Sequence, residues 1–175
     1  KLEDTVKERT KDLLISREYF KFLANNIPVI IWTTDADGKL DYINQQWYEY
    51  TGFDLEDSKT KQTELVHPDD LESSSMAWRQ ALQNKKKYEQ EFRFKRNVDG
   101  AYRWHYAQAI PFKDEQGNIT AWIGTCIDID DQKKQLERKD EFIGVASHEL
   151  KTPLTSLKGY LQLMGIQENL PGPVK

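Results

Sequence analysis

Between Leu2 and Leu23 the positions Leu2, Val6, Arg9, Leu13, Ser16, Phe20 and Leu23 recur at steps of four and three, the spacing of a helix seam. Arg9 and Ser16 interrupt the seam, so two readings stay open: a two-stranded coiled coil, or an amphipathic helix packed on its own domain. Asn25, Asn26 and Pro28 end it, because proline cannot continue a helix and pushes its predecessor toward extended backbone. Val29 to Thr34 is then a β-branched and aromatic run, followed by the turn Asp35, Ala36, Asp37, Gly38 and a short second run around Leu40 to Ile43. Asn44 is placed to cap a helix carrying Trp47, Tyr48 and Tyr50, with Gly52 stopping it. A mostly polar stretch follows, and a further helix is predicted from His67, Pro68, Asp69, Asp70 to about Asn84.

Three strands follow. Tyr88 to Arg96 alternates Phe92 and Phe94 with Glu91, Arg93 and Lys95; Asp99 and Gly100 turn the chain; Tyr102 to Phe112 and Ile119 to Ile129 complete the set. Five short antiparallel strands with helices inserted after the second predict an α+β domain with one sheet face covered by helices. Beyond Asp131 the chain is charged and helical, and Leu136, Ile143, Leu150, Leu157 and Met164 repeat every seventh residue, with Leu154 and Leu161 in the companion seat. Placing Leu150 and Leu154 inward sets His148 on the outward side, with Thr152 one turn later beside it.

Composition narrows the picture. With 25 basic and 29 acidic residues the net charge is -4, which gives no global attraction for nucleic acid or anionic membrane. Cys126 is the one cysteine, so neither an intrachain disulfide nor a cysteine-based zinc site is available, and no metal site is expected. No apolar run approaches the roughly 20 residues that span a bilayer, and Lys1 to Lys11 is charged rather than signal-like. A cytoplasmic location is the expectation. The chain opens at Lys1 inside a helical pattern, as a piece of a longer parent would, and membrane anchoring of that parent upstream is left open.

The residues D-A-D-G-K-L-D-Y-I-N-Q-Q-W-Y-E-Y-T-G, V-H-P-D-D, Y-R-W-H-Y-A and G-T-C-I-D-I-D, in that order, resemble a PAS domain from about Tyr19 to Asp131. The likeness implies a sensory or dimerisation module whose cavity between sheet and helices either holds a small molecule of unknown identity or stays empty. The run K-D-E-F-I-G-V-A-S-H-E-L-K-T-P-L-T-S-L-K-G-Y, Lys139 to Tyr160, resembles the phospho-accepting helix of sensor histidine kinases. Residues 1–22 then read as a signalling helix, 23–131 as the PAS domain, and 132–170 as the first helix of the dimerisation and phosphoacceptor domain.

That resemblance gives His148 the phosphoacceptor role, Glu149 that of base and hydrogen-bond partner, and Thr152 that of positioning water for the reverse, phosphatase reaction. A neutral imidazole suits the first, since one ring nitrogen can attack while the other carries a proton. Pro153 is expected to bend the helix just after the histidine. ATP and magnesium belong, in the family, to a separate domain of the same protein, and no asparagine-rich ATP-binding box or glycine-rich lid appears before Lys175. The implied partners are a second copy, that ATP-binding domain and the receiver domain of a response regulator, with no nucleic acid. The alternative is a ligand-free PAS module for protein interaction and dimerisation. Other groups have plainer readings: His67 as loop hydrogen bonding, His105 as structural or exposed, Cys126 outside any flavin-binding motif, Lys85 to Lys87 as a solvated turn, and Trp32, Tyr42, Trp47, Tyr50, Trp104 and Trp122 as core packing.

Overall fold

The computed structural model describes residues 2–163, and these divide into two units between Asp130 and Asp131. In the first unit α1 (Leu2–Asn26) leads into β1 (Ile30–Asp35) and β2 (Leu40–Ile43), and then α2 (Gln45–Thr51), α3 (Leu55–Lys61) and α4 (Leu71–Asn84). β3 (Tyr88–Lys95), β4 (Tyr102–Lys113) and β5 (Ile119–Asp128) close a five-stranded sheet of order β2-β1-β5-β4-β3, antiparallel at every pairing. The expected α+β architecture, a PAS fold flanked by helices, is the one observed. Ile30, Ile43, Trp47, Tyr88, Phe92, Phe94, Ala107 and Trp122 build the core.

Two turns share one chemistry. Asp35 Oδ1 accepts from the N–H groups of Asp37 and Lys39 at 3.0 and 2.8 Å, and Asp114 Oδ1 accepts from those of Gln116 and Asn118 at the same two distances. Each turn closes through a glycine at positive φ, Gly38 at 85° and Gly117 at 84°, a conformation that a Cβ would strain.

Asn44 departs from its expected role. It sits at the start of α2, but its side chain makes no cap and is 1% exposed. Its amide nitrogen donates to the carbonyls of Ala24 (2.7 Å) and Val29 (2.8 Å), while Oδ1 accepts from Ile31 N at 3.0 Å. The α2 cap comes instead from α1, where Asn25 Oδ1 accepts from Gln45 N at 2.9 Å. A buried and a half-buried backbone carbonyl outbid a cap that a neighbouring asparagine can supply. This exchange fixes the end of α1, while Val6, Leu13, Phe20 and Leu23 along its length are 43–71% exposed.

The polar stretch after Gly52 is not irregular: it contains α3, which starts on Asp54, whose side chain accepts from Asp57 N at 2.8 Å. Ser58 of α3 is fully buried and its Oγ accepts from Trp47 Nε1 at 2.8 Å. Pro68–Asp70, capped by His67, form a 3₁₀ turn ahead of α4, and Asp70 binds Arg93 through two carboxylate-guanidinium bonds of 2.9 and 2.8 Å.

From Asp131 on, the second unit is carried by α5 (Asp130–Leu163), 34 residues without interruption, whose first residue belongs to the first unit. Met164 and residues 164–170 of the expected phosphoacceptor segment lie outside the described residues, as does the side chain of Leu161.

Candidate functional site

His148 lies in the second half of α5 and is exposed, as the heptad pattern requires. At about 100° per residue, His148 points roughly opposite Leu157 and about 160° from Leu150. The apolar seam is itself uncovered in the chain: Leu136, Ile143, Leu150, Leu154 and Leu157 are 49–63% exposed. A helix with such a stripe is one half of a packing arrangement.

Thr152, about 40° around from His148, does share its face, and its hydroxyl donates to the His148 carbonyl at 3.3 Å. Thr155 and Ser156 bond back in the same manner to Lys151 and Thr152, at 2.8 and 3.1 Å. Glu149 is exposed and one residue on, about 100° around the helix. Pro153 does not end α5, which runs ten residues further, but it has no N–H to give the Glu149 carbonyl. Three hydroxyls here bond back to carbonyls, and Pro153 supplies no donor to the ladder.

The first unit holds a cavity of about 180 Å³ between sheet and helices. Trp32, Trp47, Trp78 and Phe92 form its apolar wall, and Ser74 and Gln62 are among its polar groups. Among the described residues no Asp, Glu, Lys, Arg or His lines it, and its size is below the ~300 Å³ at which drug-sized pockets begin. Cys126 also borders it; burial holds the thiol well above its ordinary pKa, so it is not a nucleophile. The aromatic residues expected in the core are there in part: Trp47 and Trp122 are buried, and Trp32 meets Trp78 edge-on at 5.4 Å.

At the end of β5 is a charge cluster to which the sequence reading gave no role. Arg103 Nε donates to Asp128 Oδ2 at 2.6 Å and its Nη1 lies 3.6 Å from Asp130 Oδ2. Asp130 is 5% exposed, accepts from Trp104 N at 3.3 Å and is the first residue of α5. The legible signal was the alternation in I-D-I-D, which places one carboxylate at the end of β5 and the other two residues on, at the start of α5; the arginine that pairs with Asp128 from 25 residues upstream was not marked by any local spacing.

His105, expected to be structural or exposed, is 1% exposed. Burial lowers its pKa and keeps the imidazole neutral. His67 fits its loop reading, accepting from Asp69 N through Nδ1 at 3.2 Å.

Comparison with known proteins follows the same division. A family profile for the PAS fold matches residues 40–126, and one for the His Kinase A (phospho-acceptor) domain matches residues 138–174. The peroxide stress-activated histidine kinase mak2 of Schizosaccharomyces pombe is 35% identical over 81% of this chain, which is 6% of that protein. Sporulation kinase C of Bacillus subtilis is 24% identical over 83% of this chain and 38% of its own length. Among solved structures, the PAS domain of a protein from Colwellia psychrerythraea superposes with a TM-score of 0.53 at 22% identity, over 68% of this chain and 98% of that one. An RNA-binding light-oxygen-voltage receptor gives 0.58 at 20% identity, over 76% and 38%. At these identities the likeness is one of fold.

Proposed function

This chain belongs to the PAS-containing sensor histidine kinases, and on that premise we propose that its PAS unit controls ATP-dependent phosphorylation of His148 and onward transfer to a response regulator. The observation that carries the reading is the exposed imidazole on the side of α5 away from an apolar seam. Pairing of two copies along that seam would cover Leu150 and Leu157 while leaving His148 in water, where a γ-phosphate held by an ATP-binding domain can reach it.

In the forward step a lone pair on one ring nitrogen of His148 forms the N–P bond as the bond from phosphorus to the bridging oxygen breaks, and ADP leaves with that electron pair. The proton on the other ring nitrogen is held by a hydrogen bond to the Glu149 carboxylate, which offsets the positive charge developing on the ring. The phosphoryl group then passes to an aspartate of the receiver domain, regenerating the imidazole. In the reverse mode Thr152 orients the water that attacks the receiver's phosphoryl group, and its hydroxyl must first leave the His148 carbonyl. Magnesium and ATP are held by the separate ATP-binding domain, whose partnership with this helix is part of the proposal. A cytoplasmic location suits the lone buried thiol and the ATP supply.

The sensory input is a compact, uncharged ligand in the cavity beside Trp32 and Trp78, and the output is the Arg103 clamp on Asp128 and Asp130 at the start of α5. Two arrangements of that clamp would suffice to bias α5 between states.

The test joins the chain to a histidine kinase ATP-binding domain and supplies ATP and magnesium. Wild type should gain an acid-labile, base-stable phosphoryl group and His148→Gln should gain none; equal labelling of the two rejects the assignment.

A further inference from the structure

A second recess of about 220 Å³ lies in the same unit, bordered by Pro28, Ile30, Tyr50, Val98, His105 and Cys126, with Glu49, Arg96 and Asp128 also contributing to its lining. Two buried polar atoms of its lining residues make no hydrogen bond, His105 Nε2 and the Tyr50 hydroxyl. The imidazole cannot turn to relieve its own. Its Nδ1 lies 2.9 Å from the Arg103 carbonyl, which only accepts, so the ring proton is on Nδ1 and Nε2 presents a lone pair. The ring is also wedged edge-on between Tyr50 and Phe94, at centroid distances of 4.8 and 5.6 Å. A buried acceptor and a buried hydroxyl on touching rings, both unsatisfied, are rare in a folded domain and point to a missing third group.

We propose that this recess is a second small-molecule site, taking a compact uncharged molecule that carries a hydroxyl. A hydroxyl alone matches both protein groups, donating to His105 Nε2 while accepting from Tyr50. The walls formed by Pro28, Ile30 and Val98 favour an apolar body. Charge is disfavoured because the recess has both signs in its lining and its pairs are already made: Arg96 is bound by Asp99, and Asp128 by Arg103. An ion of either sign would meet a like charge there. The site differs from the sheet-and-helix cavity in having a histidine acceptor and ionic neighbours, with Cys126 bordering both. Its walls come from the segment entering β1 and from the last residues of β5, so occupancy would tie together the two ends through which the domain is connected.

The probes are phenol and toluene, equal in ring and different in the hydroxyl. The full chain, labelled with nitrogen-15 in its histidine rings, is titrated with each while the His105 Nε2 resonance is followed. Phenol should move that resonance saturably and toluene should bind at this position at least ~10-fold more weakly. Tyr50→Phe, checked for folding by circular dichroism, should narrow the difference between the probes without abolishing it, since His105 Nε2 still accepts from phenol. An Nε2 resonance that phenol does not move, as with an immovable water shared by the two groups, overturns the proposal. So does toluene equal to phenol in wild type, which would reduce the recess to an apolar cleft.

Discussion

Trp32 of β1 and Gly124 of β5 face each other directly in the ladder, and the indole lies across the glycine so closely that a Cβ there would fall 2.2 Å from Trp32 Cε2. The glycine is not required for its backbone angles. It is required because the space a side chain would take is already filled by Trp32, part of the wall of the cavity between sheet and helices. Gly124→Ala should therefore force Trp32 aside and cost about 1–3 kcal/mol, as overpacking of a close-fitted core does. Thermal denaturation followed by circular dichroism should show a midpoint lower by roughly 3–10 °C. Gly124→Ala combined with Trp32→Phe should recover part of the loss.

Thr152 gives a separable effect. Its hydroxyl makes a single long bond to the helix backbone, and alanine is the better helix former, so Thr152→Ala should leave α5 folded. In the chain joined to an ATP-binding domain, the variant should keep autophosphorylation within about twofold and lose ~10-fold or more of its phosphatase rate toward phosphorylated regulator, about 1.4 kcal/mol of barrier. Equal losses in both directions would make Thr152 merely structural.

Cys126 should be inert while the domain is folded. The residue is 2% exposed, and burial raises its thiol pKa, suppressing the thiolate that reacts. A disulfide reagent at pH 8 should label it roughly 10³-fold more slowly in buffer than in denaturant, because labelling must wait for opening. Fast labelling of native protein would contradict the buried position on β5.

Asp70 and Arg93 set an acid limit. The guanidinium beside Asp70, with a further bond from Arg93 N, holds the carboxyl below its ordinary pKa. A lowered folded pKa means stability that is complete above the unfolded value of about 4 and is lost as pH falls through the folded one. Asp70→Asn should lower the melting midpoint by several degrees at pH 7 and flatten its fall below about pH 4. A variant with the wild-type acid profile would deny the pair its role.

The sequence carried much of this because periodicity and turn chemistry are local. The strands around Phe92 and Phe94, the glycine turns and the heptads around Leu150 are each written within a dozen residues. The α3 helix was missed because Leu55 is its one large apolar residue and its buried contact is a serine meeting Trp47. Asn44 was read as a cap because the competing carbonyls of Ala24 and Val29 are neighbours only after folding. Arg103 escaped for the same reason, being paired across strands with Asp128. The placement of His148 on the side of a helix away from the leucine seam was legible, since that follows from spacing alone.

The unbroken α5 has a mechanical consequence. From Asp131 to His148 is about 26 Å of rod at 1.5 Å per residue, and hydrogen-bonded helix does not stretch or transmit local slack over that length. A tilt of about 3° at its first turn therefore swings the imidazole by roughly 1.4 Å, which, in the phosphoryl transfer proposed for His148, is of the size that separates a productive from an idle approach.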